Sequence, residues 1–241
     1  IHKLQSLAAW KVSKFAGHNT IKNMVEFDAV YPFNGGNTWE LEQSIRLLKK
    51  NAKGLRNIYT IGVDSGLDLI HIPYIEEDAK EINIWKKTCA ACFIPEISDI
   101  FLFINDDHFI IQEIDCFLNY MYGGDISEIQ SGGQYADAVN RTLTELKRRR
   151  LDTKNFDIHC PMFIEKKLFL NVFNEFGVDN ELLLKSCYCN YYLIEGAEMQ
   201  DLKFRWLANK KEIEEECEGR WILSTHEDLI SYDLREFIES K

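Results

Sequence analysis

A chain of 241 residues with 46% hydrophobic content can bury one substantial core, and its formal charge of −11 argues against loose, charge-driven binding to nucleic acid, which needs clustered Lys and Arg. Fifteen Phe, ten Tyr and five Trp against thirteen Gly and four Pro describe a globular protein with little room for disordered linkers. No stretch approaches the roughly 20 apolar residues of a membrane span; Ile1 to Trp10 carries no signal-peptide pattern, and seven cysteines, an odd set in a chain too large to need disulfide staples, point to a reducing cytoplasm.

Phe27-Asp-Ala-Val-Tyr-Pro-Phe33 reads as a first buried strand, ended by the turn residues Asn34-Gly-Gly-Asn37. A helix follows from Thr38, with Leu41, Ile45, Leu47 and Leu48 at helical spacing, Arg46, Lys49 and Lys50 on the other face, and Gly54 as its stop. Asn57-Ile-Tyr-Thr-Ile-Gly62 is a second strand and Asp68-Leu-Ile-His-Ile-Pro73 a possible third. Glu76 to Cys92 reads as a helix, and Asp99 to Asn105 as a strand that runs into acidic residues. Alternating strands and helices up to Ile110 call for an α/β fold, three layers around a mainly parallel sheet. Cys89-Ala-Ala-Cys92 has CxxC spacing, but without a second CxxC or a paired His motif it reads as ordinary buried thiols.

The second half is less regular. Gly123-Gly124 and Ser131-Gly-Gly133 bracket a loop that suits either a mobile lid or a plain surface connection. Tyr135 to Arg150 is an amphipathic helix, and its Lys147-Arg-Arg-Arg150 end is either solvated or a contact for a polyanion. Asp157 to Phe163 reads as a strand, Glu165 to Phe176 and Asn180 to Cys189 as helices, and Trp221-Ile-Leu-Ser224 as a late strand. A C-terminal helix is expected from about His226, capped by Thr225 or Ser224.

The chemistry gathers in Phe101-Leu-Phe-Ile-Asn-Asp-Asp-His-Phe-Ile110, where an apolar strand ends in two adjacent carboxylates. Such a pair repels itself and resists desolvation, so a divalent cation or a set of donors is expected to offset it. Asp107, last in the DxD-like triplet begun by Asn105, is the first choice for a Mn²⁺ or Mg²⁺ ligand, and Asp106 the second, or a contact for ribose or sugar hydroxyls. A plain turn or capping pair is the alternative. His159, in Asp157-Ile-His-Cys-Pro-Met162, is a core histidine unless the fold brings it to the Asp pair, where it becomes a metal ligand or general base. Lys203 and Arg205 stand two apart in Gln200-Asp-Leu-Lys-Phe-Arg-Trp206, so an extended segment would offer both to phosphate or to solvent.

Several of these segments together resemble the Stealth-type sugar-phosphate transferases of capsule synthesis. Phe27 to Gly36 is similar to their opening strand and loop, Leu41 to Arg46 and Gly54 to Ile61 to their helix and second strand, Ile94 to Phe109 to their acidic block, and His159 to Lys166 to a later His block. The resemblance covers about residues 25 to 175 and implies a GT-A-like fold in one domain, 1–241, with a nucleotide-binding half at about 25–115 and an acceptor-side half at about 116–241. It implies a nucleotide-sugar donor, a UDP-sugar first, with Tyr31, Pro32, Phe33 and Asn34 against the base and Asp64 and Asn105 completing the donor contacts. Asp106 and Asp107 would then hold metal and diphosphate, and His159 would face the reaction centre. The chain departs from the family where Pro32-Phe-Asn-Gly35 replaces Trp-Val-Asp-Gly, where Thr88 falls at an acidic position and where Met162 replaces a His. Those departures favour plain glycosyl transfer over sugar-1-phosphate transfer, with a non-catalytic sugar- or nucleotide-binding module as a third possibility. An inverting enzyme would need a base near the acceptor, for which Asp157, His159 and Glu227 are the candidates. The acceptor is a hydroxyl of a glycan or other polymer, a hydroxymethylated base in phage DNA included.

Overall fold

The computed structural model describes residues 25–36, 38–75, 78–115 and 118–241, and of Val178 and Glu227 the backbone alone. The amino-terminal segment with Ile1 to Trp10 lies outside the described residues, as do Asn37, Glu76, Glu77 and Cys116.

Strands and helices alternate through the first half as β1 (Phe27–Phe33), α1 (Thr38–Asn51), β2 (Leu55–Gly62), β3 (Ile70–Pro73), α2 (Lys80–Cys92) and β4 (Ile100–Phe103). Next come β5 (His108–Ile110), β6 (Met121–Tyr122), α3 (Gly133–Arg148), β7 (Met162–Glu165), α4 (Lys166–Phe176) and α5 (Leu184–Tyr191). The chain closes with β8 (Ala197–Glu198), β9 (Lys203–Phe204), α6 (Lys210–Cys217), β10 (Ile222–Thr225) and α7 (Tyr232–Ser240).

The central sheet has the order β3-β2-β1-β4-β7, with β7 antiparallel to β4 and every other pair parallel. This is the α/β class with a mainly parallel sheet that the strand and helix alternation calls for. The pleat of β1 explains the layering, because successive side chains point to opposite faces. Phe27, Ala29, Tyr31 and Phe33 pack with Leu41, Ile45 and Leu48 of α1 on one side. Val30 faces the other way and joins Tyr59, Ile61, Phe101 and Phe103 against Trp85, Phe169 and Tyr188 of α2, α4 and α5.

A second sheet, β5-β10-β9, sits on a separate core in which Phe109, Phe204 and Leu223 meet Ile213, Leu234 and Ile238 of α6 and α7. Its register matters for the site: Ser224 on β10 stands opposite His108 on β5 and beside Lys203 on β9. At the far end of the central sheet, Asp28 is fully buried and accepts from Arg56 Nε at 3.0 Å, Asn57 N at 3.0 Å and Ser98 N at 2.7 Å. Burial opposes its ionisation, but Arg56 and the Ser98 amide outweigh that and hold the carboxyl below its usual range.

Two expected elements are corrected. Asp157 to Cys160 is irregular and the strand begins only at Met162, because the Asp157 carboxylate accepts from the first-turn amides of α5, Lys185 N at 3.4 Å and Ser186 N at 2.8 Å. These bonds, with the Lys185 ammonium donating to the carbonyls of Ile158 and Cys160, turn the segment toward a helix end instead of a sheet edge. The C-terminal helix starts at Tyr232, capped by Ser231, whose Oγ accepts from Leu234 N; a single 3-10 turn, Glu227–Leu229, fills the stretch where a helix from His226 is expected.

Candidate functional site

The carboxyl ends of β1, β2 and β4 form one edge, where open α/β sheets bind ligands. Gly62, at the end of β2, has φ +136°, and a Cβ there would stand 1.8 Å from the Phe33 carbonyl oxygen, so only glycine lets β1 and β2 close side by side. The Phe33 carbonyl accepts from Lys87 Nζ at 2.8 Å and from Val63 N at 3.2 Å. Beyond it the loop exposes Asn34 and Gly35, and a Cβ on Gly36 would lie 3.8 Å from Asp106 Oδ2, so the first loop lies against the acidic segment.

That segment is a tight turn from β4 into β5. His108 N donates to Asn105 O at 3.2 Å, and Asn105 N donates to His108 Nδ1 at 3.4 Å. The second bond makes Nδ1 the acceptor, so the neutral ring carries its proton on Nε2. Burial pushes the His108 imidazole down to about 3 against the pull of Asp107, so it stays neutral. Its Nε2 is buried without a hydrogen-bond partner among the described residues and lies 3.7 Å from Asp107 Oδ1.

Asp107 is the centre of this arrangement. Its Oδ2 accepts from Lys203 Nζ and from Ser224 Oγ, each at 2.9 Å, which the register across β9 and β10 sets up. Burial opposes its charge, but His108, Lys203 and His159 outweigh burial and hold the carboxyl well below the usual range. Asp106 is pushed the opposite way, up to about 6, by burial and the Asp107 charge, with Lys80 drawing it back.

His159 does come to the Asp pair. Its ring lies 6.4 Å from that of His108, centroid to centroid, and its Nδ1 is 2.7 Å from Asp201 Oδ2, while its amide donates to Asp201 Oδ1 at 2.9 Å. Burial works against the Asp201 charge, but the bonds from His159 keep its carboxyl below the ordinary value. A carboxylate accepts only, so Nδ1 carries the proton and Nε2 presents a lone pair. The two side chains remain 23% and 29% exposed, so solutes can reach them.

Other expected residues sit elsewhere. Tyr31 and Phe33 are core residues facing α1, both 1% exposed, so the donor contacts left by β1 are Pro32, partly buried, and the loop after it. Ser44 donates its one proton to His108 O at 2.6 Å, so Tyr31 OH donates to Ser44 Oγ at 3.0 Å, and the hydroxyl is spent inside the fold. Asp64 is exposed and accepts from Gly66 N at 2.9 Å in a local turn. Asp157 serves α5 as described, and the side chain of Glu227 lies outside the described residues. Lys203 and Arg205 part company: Lys203 turns to Asp107, and Arg205 is exposed.

The basic cluster closes α3, Arg148 on Glu145 and Arg149 on Glu145, Glu175 and the Phe176 ring. The proposed lid is a built turn, since Asp125 accepts from Ser127 N at 2.8 Å in a capping box. Cys89 and Cys92 are free thiols that burial pushes up to about 11 and 12, which suits inert packing residues.

A divalent cation wants converging carboxylates or imidazole lone pairs. Around Asp107 the groups are donors: an ammonium, a hydroxyl and the His108 Nε2–H. Among the described residues no three His, Cys, Asp or Glu side chains gather as a metal site, and beside Asp107 the Asp106 carboxylate has only backbone hydrogen bonds among the causes of its shift. The donor set does not fit a metal held by Asp107.

Asp201, Ser224, Lys185 and Tyr135 are the members that sequence reasoning passed over. Asp201 had a visible signal, since Asp201, Lys203 and Arg205 alternate with Leu202 and Phe204, both buried. Tyr135, at the start of α3, is 38% exposed, and its phenol is raised by burial and, to a smaller extent, by the charges of Asp157 and Asp201.

No family model and no curated protein matches this chain. Two solved structures of the glycosyltransferase GlyE from Streptococcus pneumoniae TIGR4, one of them the apo form, are similar to it at 12% and 14% identity, with TM-scores of 0.44 and 0.47. Each likeness covers 90% of this chain and 60% of the other, so the chain spans well under two thirds of those proteins.

Proposed function

We propose that this chain is a glycosyltransferase that moves a sugar from a nucleotide-sugar donor to a hydroxyl of a glycan or other polymer. The observation that carries this is the meeting of two sets of groups at one edge of a parallel sheet: Asp106, Asp107 and Lys203 on one side, and the His159–Asp201 pair on the other. Strand ends with a glycine loop suit a nucleotide, an ammonium 16% exposed suits its diphosphate, and an imidazole with a free lone pair suits proton removal from an acceptor.

In the reaction so assigned, His159 Nε2 takes the proton from the acceptor hydroxyl as its oxygen attacks the anomeric carbon. The bond from that carbon to the diphosphate oxygen breaks, and the electron pair leaves with the diphosphate. Asp201 keeps the imidazole in the tautomer that can accept, and stabilises the imidazolium once formed. A direct attack with a base in place supports inversion at the anomeric carbon. Tyr135 supports a sugar as acceptor, since an exposed aromatic ring that feels the charge of Asp201 would offer a face on which a sugar ring can stack.

The test is transfer itself. With a panel of sugar nucleotides and a glycan mixture, the wild-type protein releases nucleoside diphosphate, and His159→Ala lowers the rate by about 10²-fold or more while donor binding persists. Failure of every sugar nucleotide to bind or turn over would sink the proposal.

A further inference from the structure

We infer that Lys203 is the cation that holds the donor diphosphate at this edge, so that donor binding does not depend on a divalent metal. The inference rests on the glycosyltransferase reading above, and goes beyond it in replacing the metal expected of a DxD-like triplet with a side chain of the protein.

Three observations point there. Lys203 Nζ lies 2.9 Å from Asp107 Oδ2, so a cation of the protein itself already meets that carboxylate oxygen. Asp107 Oδ2 also accepts from Ser224 Oγ at 2.9 Å, so that oxygen is met by two donors, while the buried Nε2–H of His108 stands 3.7 Å from Oδ1, too far for a hydrogen bond. Finally, Asp107 is the only hydrogen-bond acceptor for Lys203 Nζ among the described residues, and the lysine side chain is 16% exposed. An ammonium has three protons. One is committed to Asp107, and the remaining two have no acceptor among the described residues.

The register explains why the lysine is held so firmly. Lys203 on β9 is paired with Ser224 on β10, so both side chains that donate to Asp107 are set by strand pairing. Asp107 acts as an orienter: its carboxylate aims the Lys203 ammonium through the 2.9 Å bond. When the bond from the anomeric carbon to the diphosphate breaks, the electron pair arrives on an oxygen of the diphosphate. The ammonium can donate two hydrogen bonds to that group, in a partly desolvated setting where such bonds are strongest.

Calorimetric titration with UDP, GDP, ADP, CDP and dTDP, in EDTA and again in excess Mn²⁺, tests this on the whole chain. The expected result is that at least one nucleoside diphosphate binds in EDTA, with an affinity within about twofold of that in Mn²⁺. Lys203→Met weakens that binding about tenfold or more. Lys203→Arg retains most of it, and both variants melt as the wild type does to within a few degrees. Binding that needs Mn²⁺ would overturn the inference and leave the transferase reading standing. Metal-free binding that Lys203→Met leaves unchanged would overturn the role of Lys203 alone. Absence of binding under either condition would remove both. If Lys203→Met fails to fold, the comparison of EDTA with Mn²⁺ on the wild type and on Lys203→Arg decides the matter.

Discussion

His159 shows what one side chain needs from its surroundings before it can take a proton. The imidazole must be reachable, hold the correct tautomer and have its new charge met. Partial exposure supplies the first, and the 2.7 Å bond to Asp201 supplies the other two. Asp201→Asn keeps the shape but offers an amide that can donate to Nδ1, which favours the wrong tautomer. It should lower kcat by about 10²-fold or more with donor binding unchanged, whereas a merely structural Asp201 would show itself as a lower melting temperature with normal kcat. Tyr135→Ala is expected to raise the acceptor KM about tenfold and leave the donor affinity as it is. A change in donor affinity instead would move Tyr135 to the donor side. At this scale the sequence was informative about Asp106, Asp107, His159 and Lys203, all of which stand in polar interruptions of apolar runs. It was silent on Ser224 and Lys185, because a hydroxyl at the end of a strand and a lysine at the start of a helix are ordinary until pairing shows what they face.

Elements place these side chains, and the least regular one matters most. The stretch Asp157 to Cys160 carries His159 but is neither strand nor helix. Its apolar and polar alternation is that of a strand, and no local pattern reveals that Asp157 is taken up by the amides of a helix start some 28 residues on. Asp157→Ala removes that cap and should cost about 0.5–2 kcal/mol, seen as a fall of a few degrees in melting temperature. If it left stability intact and abolished transfer, Asp157 would be the base in place of His159. The longer buried elements, in contrast, were legible: β1 matches its expected bounds as a near-continuous apolar run, and α1 starts at the expected residue because a helix buried on one face shows its period, whereas the short β5, β6, β8 and β9 and helix α6 were not read from the sequence. Gly62 belongs to this scale as well. Gly62→Ala would force the backbone from φ +136° and drive a methyl into the Phe33 carbonyl, so severe loss of stability is expected in thermal melting, with the aggregated or unfolded fraction rising. A variant as stable as the wild type would contradict this close approach of β1 and β2.

The whole molecule separates stability from chemistry along the central sheet. One end of the parallel strands carries the reacting groups, and the other carries Asp28 in a buried network with Arg56, Asn57 and Ser98. Because the folded Asp28 carboxyl titrates below its unfolded value, its contribution is present above the ordinary carboxylate range and is lost as pH falls through the folded value. Asp28→Asn should therefore be less stable than wild type by about 2 kcal/mol at neutral pH, with the gap closing below about pH 4. Denaturant midpoints against pH measure it, and a gap that widens in acid would reverse the assignment. The net charge of −11 does not describe the site alone, where Lys203 meets Asp107 and Lys80 draws on the charge of Asp106.

Among the described residues no helix is long and apolar enough to cross a membrane. The most direct measurement is phosphorus NMR of the nucleotide released when the wild-type chain is given a bound sugar nucleotide and a glycan acceptor. Glycosyl transfer predicts a nucleoside diphosphate, formed in step with acceptor consumption. Release of a nucleoside monophosphate would mean that phosphate travels with the sugar, and would contradict the mechanism assigned to His159 and Lys203.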